Sequence, residues 1–241
     1  MPGVRGYNRG MSLAPHDAPL PAALPAVFDA AWSLRDLQHH LGDIPLERIR
    51  AVPSPGAATE ADALRVLEFG PGPRCELIDG VLVEKPVGFF QSLLAAELIF
   101  LIRAYLEMND IGRVLGEQGP YRILKNQLRV PDVSFIGWQH FPNRTLPKVK
   151  VLPFAPDLAV EILSEANTTA ELVRKRREYF AAGTRLMWIV EPELRTADVY
   201  RSPDDHILLR EHDTLTGGDV LPGFELVIRE WFERVGLTRD E

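Results

Sequence analysis

Apolar positions recur roughly every three to four residues in some stretches of this chain and every second residue in others, and the switches between the two periods mark its elements. Residues 1–30 hold neither period; rich in Pro, Ala and Gly, they read as a disordered leader, with Met11 an alternative start. Ser33-Leu34-Arg35-Asp36 has the form of a helix cap, with Leu34, Leu37 and Leu41 on one face of the helix it opens. Pro53-Ser54-Pro55-Gly56 breaks the chain, and Thr59-Glu60-Ala61-Asp62 caps a second short helix. Residues 31–70 are therefore expected to form a helical annex packed on a main domain of residues 71–241.

From Cys75 onward the period shortens. Asp79-Gly80, between Glu76-Leu77-Ile78 and Val81-Leu82-Val83-Glu84, predicts a hairpin, because both turn residues tolerate positive φ. Phe90 to Leu106 returns to helical spacing, and Gly112–Gly116 and Tyr121–Leu124 read as strands paired around Gly119-Pro120. Two further strands follow, Pro131–Ile136 and Asp157–Leu163, separated by a Pro-rich, basic loop. Thr168-Thr169-Ala170-Glu171 predicts a capping box for a helix that Gly183 ends. Strands over Leu186–Val190, Thr196–Arg201 and His206–Arg210, then a helix over Val227–Val235 with Trp231 and Phe232 inward, complete the chain. The order predicts a mixed α/β fold, a central mixed sheet flanked by helices.

Composition narrows the chemistry. The 241 residues are 46% apolar, enough for one sizeable core. The single cysteine, Cys75, rules out an internal disulfide framework and a Cys-rich zinc site, and fits a reducing cytoplasm. The most apolar helical stretch, Ser92 to Tyr105, is interrupted by Glu97 and Arg103, so no membrane span is expected. A net charge of −7 argues against bulk electrostatic binding of nucleic acid, but the charge is unevenly spread. Arg122 to Lys150 carries six basic residues and one acid, whereas Glu191 to Glu241 holds thirteen acids and six arginines.

Two carboxylates stand out against this background. Glu161 interrupts an apolar strand and shares its face with Ala159 and Leu163; Asp132 opens another and shares its face with Ser134 and Ile136. If these strands are neighbours with those faces aligned, the carboxylates converge on a hard cation, and Mg²⁺ needs only one or two of them. On a helical wheel Lys175 lies roughly 60° from Leu172 and about 40° from Tyr179, at the margin of the buried stripe, where it can reach a strand-end pocket. Arg176 falls nearer the middle of that stripe. Each residue also has a plainer reading. Asp132 can be a strand-start residue, Glu161 can pair with Arg129 or Arg176, and Lys175 can lie on a solvated face.

Glu76-Leu77-Ile78-Asp79-Gly80, Pro131-Asp132-Val133, Val160-Glu161-Ile162-Leu163-Ser164, the spacing of Lys175, Tyr179 and Gly183, and Trp188-Ile189-Val190-Glu191-Pro192 resemble the putative restriction endonuclease family, formerly a domain of unknown function. That family is part of the PD-(D/E)XK nuclease superfamily. The stretch from Trp32 to Asp62 resembles the helical leader of one bacterial branch. The resemblance implies Mg²⁺-dependent phosphodiester cleavage, with Asp132 as the acid of the PD motif, Glu161 as the following acid, and Glu76 and Ser164 as accessory residues. Leu163 stands where the superfamily lysine is usual, and the family's displaced lysine corresponds to Lys175. Phe90 and Gln91 occupy the region where a histidine is frequent, and Glu165 replaces a frequent proline.

These features favour a cytoplasmic metal-dependent DNA endonuclease, expected to be a homodimer with no membrane partner. Arg129, Arg176 and the loop from Arg144 to Lys150 are the candidate phosphate contacts. The alternative is a non-catalytic, dimeric binding or regulatory protein on the same scaffold. A third reading is a metal-dependent hydrolase of nucleotides or RNA using the same residues.

Overall fold

A computed structural model describes residues 32–70, 72–86 and 88–236; the expected leader lies outside them. In chain order come α1 (Leu34–His40), α2 (Glu60–Phe69), β1 (Cys75–Ile78), β2 (Val81–Glu84), α3 (Phe89–Met108), β3 (Gly112–Gly116), β4 (Tyr121–Leu124), β5 (Gln127–Arg129) and β6 (Val133–Gly137). Then follow β7 (Leu158–Ile162), α4 (Thr169–Ala181), β8 (Leu186–Glu191), β9 (Thr196–Tyr200), β10 (His206–Leu209), β11 (Thr214–Gly217), β12 (Leu221–Val227) and α5 (Ile228–Arg234).

The central sheet has the order β10-β9-β8-β7-β6-β3 and is antiparallel except where β7 lies parallel to β8. That one parallel pair requires a crossover, which α4 provides. On one face Val133, Phe135, Leu158 and Val160 pack with Leu94, Leu98 and Ile102 of α3 and with Trp231 and Phe232 of α5. The opposite face, with Ile136, Ala159, Met187 and Ile189, packs on Tyr179 of α4 and on β4. The architecture is the mixed α/β sheet flanked by helices that the sequence predicts.

A second, antiparallel sheet has the order β2-β1-β5-β4. Its β1–β2 turn places Asp79 at φ 50° and Gly80 at φ 76°, the positive values that favour this dipeptide. A Cβ on Gly80 would lie 2.6 Å from the Gly56 carbonyl oxygen, so the turn also serves as a docking point for the annex.

Several expectations are corrected. Gly112–Gly116 and Tyr121–Leu124 do not pair: β3 joins β6 in the central sheet, and β4 joins β5 in the second. The partner of β4 is a short strand reached through Asn126, at φ 58°, and is too brief to show a period. The hairpin of β11 and β12 was unforeseen. Leu34 is exposed, so α1 buries Leu37, with Leu41 following at its cap. Thr168 does cap α4, but Glu171 forms no reciprocal half of a capping box, because its carboxylate is taken by Arg48 at 2.7 and 2.9 Å. Finally, α3 is long and apolar enough to cross a membrane by length and composition, despite Glu97 and Arg103. Here Leu94, Leu98, Ile102 and Leu106 are buried against the protein, while Phe89, Phe100 and Met108 are exposed.

Candidate active site

The two sheets meet where β5 continues into β6 through Val130-Pro131-Asp132. Proline has no N–H to give to a ladder, so the chain bends out of one sheet and into the other there. The backbone groups of Val130 are satisfied by side chains: its N–H donates to Glu76 at 3.0 Å, and its carbonyl accepts from Lys85. Asp132 N–H donates to the Val160 carbonyl at 3.0 Å, just before β6 begins with Val133 paired to Val160. Asp132 thus lies beside the Val160–Ile162 end of β7, and its carboxylate and that of Glu161 border the same cavity.

Every oxygen of this pair has a protein donor. Asp132 Oδ2 accepts from the Ile162 N–H at 2.7 Å and Oδ1 from Lys85 Nζ at 2.8 Å. Glu161 Oε2 accepts from Lys175 Nζ at 3.0 Å and Oε1 from the Tyr179 hydroxyl at 3.3 Å. Lys85 Nζ also lies 3.8 Å from Glu161 Oε2. Lys175 lies 3.4 Å from Glu76, whose carboxylate accepts a 2.7 Å hydrogen bond from the buried Arg129. Arg129 in turn binds Glu178, and Arg174 joins Glu178 to Asp79. The site thus rests on a buried chain of alternating charges rather than on an apolar floor.

Burial raises the Glu161 carboxyl above the ordinary range, with Lys175 and Lys85 opposing the rise. Burial would also raise Glu76, but Lys175, Arg129 and Lys85 outweigh it and hold that carboxyl far below the ordinary range. For Lys85 and Lys175 burial disfavours the charge, yet the facing carboxylates dominate and both ammonium groups are held more firmly than in water. A cavity of about 310 Å³ opens on this cluster, its wall including Lys85, Gln91, Asp132, Glu161, Ser164 and Lys175.

Residues 61–229 match the Uma2 family, described as putative restriction endonuclease. The chain belongs to this family. The Uma2 fold is also seen in a crystal structure of a putative nuclease of DUF820 from Anabaena variabilis ATCC 29413, 21% identical to this chain with a TM-score of 0.59. That likeness covers 68% of this chain and 92% of the other, and shows a shared fold. No curated protein matches the chain.

In this Uma2 member, Glu76 of β1, Glu161 of β7, Lys175 of α4 and Asp132 of the β5–β6 connector meet in one cluster. Ser164 lines the cavity and donates its N–H to Asn167 Oδ1 at 3.0 Å. Two expected phosphate contacts lie elsewhere. Arg129 is fully buried between Glu76 and Glu178 and has no surface to offer a phosphate. Arg176 stacks its guanidinium 4.4 Å from the Tyr200 ring centroid, so it neither enters the cavity nor pairs with Glu161. In the basic loop Arg144 pairs with Asp110 at 2.8 Å and Lys150 with Glu68 at 2.6 Å, and neither lines the cavity. Lys85 was missed by sequence reasoning. Its one local signal is its place in the connector from β2 to the long helix α3, next to Pro86.

The donor set suits a hard divalent cation. Among the described residues, no group of three or more His, Cys, Asp or Glu is placed to hold a metal, which disfavours a zinc-like centre. Two hard carboxylates facing a cavity with room for water suit Mg²⁺, which keeps much of its hydration shell.

Proposed function

We propose that this protein is a Mg²⁺-dependent endonuclease that hydrolyses phosphodiester bonds in DNA. The observation that carries the reading is the meeting of Asp132 and Glu161, bridged by Lys85, with Lys175 3.0 Å from Glu161 at an open cavity. Asp132 and Glu161 would hold the ion. Bound there, Mg²⁺ would supply Lewis acidity to the phosphate and a more acidic water. Lys175, kept charged by Glu161 and Glu76, positions the attacking water and offsets charge developing at phosphorus. The Tyr179 hydroxyl and the Ile162 N–H fix the two carboxylates so that their outer oxygens keep one orientation. The cavity also reaches the start of α3, where Gly88 provides no side-chain cap and the first turn has no acid. Backbone N–H groups there are suited to a phosphate oxygen.

Glu161→Gln tests the assignment. Mg²⁺-dependent nicking of supercoiled plasmid should fall by roughly a hundredfold or more while the circular dichroism spectrum stays unchanged. Cleavage retained by the purified variant and still blocked by a chelator would discard Glu161 as the metal ligand. Parallel assays on duplex DNA, RNA and small phosphodiesters separate the DNA reading from hydrolysis of nucleotides or RNA.

A second reading, a non-catalytic dimeric binding or regulatory protein on the nuclease scaffold, is favoured by one observation. All four oxygens of Asp132 and Glu161 already have protein donors. Calorimetric titration decides between the two, because the non-catalytic protein should take up no Mg²⁺.

A further inference from the structure

Lys85 occupies the place where a cation would sit. Its Nζ is 2.8 Å from Asp132 Oδ1 and 3.8 Å from Glu161 Oε2, so one ammonium spans the two carboxylates that the proposed function gives to the metal. With Lys175 Nζ 3.0 Å from the same Glu161 oxygen, the two carboxylates and two ammonium groups balance in charge. A divalent ion added to that arrangement would leave two surplus positive charges beside largely buried side chains, with Lys85 held against the incoming ion. Like charges that close in such surroundings repel strongly. One cation has to leave.

Among the donors to these carboxylates, Lys85 is the one built to move. The Ile162 N–H belongs to β7, and Lys175 and Tyr179 project from α4. Lys85 lies in the β2–α3 connector, with its backbone N–H tied to the Arg74 carbonyl at 2.8 Å; its buried ammonium is held by Asp132 and the Val130 carbonyl at the end of a flexible four-carbon stem. It also forms part of the wall between two cavities. The second cavity, about 690 Å³, shares Lys85, Pro86, Gln91 and Ser164 with the first and carries Glu47, Glu84 and Glu165. A displaced ammonium would turn from one pair of carboxylates toward another acidic wall.

We propose that Lys85 is an internal competitor for the metal: it holds Asp132 and Glu161 together in the metal-free protein, and a divalent cation binds by displacing its ammonium. This rests on the metal-dependent reading of the site and adds what sets the affinity. The competition also reconciles a pair of fully partnered carboxylates with a metal-binding role.

Calorimetric titration of the full chain with Mn²⁺ tests it, on the parent, Lys85→Met and Glu161→Gln. Lys85→Met should bind Mn²⁺ at least about tenfold more tightly than the parent, and Glu161→Gln should lose binding. If the parent binds Mn²⁺ and a folded Lys85→Met binds no more tightly, the competition is overturned while the metal site stands. If neither the parent nor Lys85→Met binds Mn²⁺ at millimolar concentration, the metal reading falls and takes the competition with it. A measurement on the unaltered protein guards against a variant that fails to fold. Acylation of Lys85 by an amine-reactive reagent, followed by peptide mass spectrometry, should be slow without metal and several-fold faster with saturating Mn²⁺. Protection that persists under saturation overturns the proposal.

Discussion

Glu161 and Lys85 lie 3.8 Å apart, yet only one of them is conspicuous in the sequence. Glu161 is an isolated charge inside five consecutive buried strand positions, which makes a polar partner almost obligatory. Lys85 follows Glu84 and precedes Pro86, a polar strand end of ordinary appearance. Its partners, the Val130 carbonyl and the Asp132 carboxylate, are 45 and 47 residues away. Arg129 shows the opposite error. Lying in a basic stretch, it resembles a phosphate contact, and the three residues of β5 are too few for alternation to reveal that all are buried. Its place between Glu76 and Glu178 has a measurable consequence. Arg129→Met should destabilise the fold by about 3–5 kcal/mol, because two buried carboxylates lose their shared cation. Urea unfolding measures this as a lower midpoint at unchanged slope. Adding Glu178→Leu should restore part of the loss, and a single variant within experimental error of the parent would mean Arg129 is not the cation that holds these carboxylates.

At the scale of elements, α4 was legible as a helix but not in its polarity. Its buried positions are Glu171, Lys175, Glu178 and Tyr179, spaced as one helical face and mostly charged. Such a pattern ordinarily describes a solvated face, and the turn is inverted because Arg48, Arg129 and Glu76 reach it from other elements. Lys175 consequently sits inside that face rather than at its margin. The start of β7 is fixed in a similar way. Asp157 accepts from the Gly137 N–H at 2.8 Å, from Gln139 at 2.9 Å and from His140 at 3.0 Å, with Arg185 3.9 Å away. Burial would raise this carboxyl, but the His140 and Gly137 hydrogen bonds outweigh it and hold it below the ordinary aspartate range. A value lower in the folded than in the unfolded protein stabilises fully above the ordinary aspartate value of about 4, and the gain is lost as pH falls through the folded value. The stability gap between the parent and Asp157→Asn should therefore be steady near neutral pH and shrink in the acid range. Urea midpoints across that range check it, and a gap that stays flat into strong acid would rule out this carboxylate as the source.

At the scale of the whole molecule, the site depends on a segment that lies mostly before the family match at residues 61–229. Arg48 donates to Glu171 of α4, to the Ala166 carbonyl in the loop beyond Ser164, and to the Glu84 carbonyl just before Lys85. It therefore ties together the three segments that carry Lys175, Ser164 and Lys85. The helices of the annex were legible from their caps, and Ser33 and Thr59 both form capping boxes. Its docking was not, since Arg48 lies in a polar stretch and its partners come from distant parts of the chain. The annex backbone abuts α4 at Gly42, where φ is +96° and a Cβ would meet the Glu171 backbone nitrogen at 2.7 Å. Both sides of that contact are backbone, so no side chain can yield. Gly42→Ala should then lower stability by about 2–4 kcal/mol, combining overpacking with a strained left-handed residue. Limited proteolysis should cut the variant within residues 50–58 faster than the parent, with the two sheets remaining protected, because an undocked annex exposes that connector before the core opens. A variant as stable and as resistant as its parent would show that Gly42 does not abut α4 in solution, and the role of Arg48 as the tie between the site's segments would fall with it.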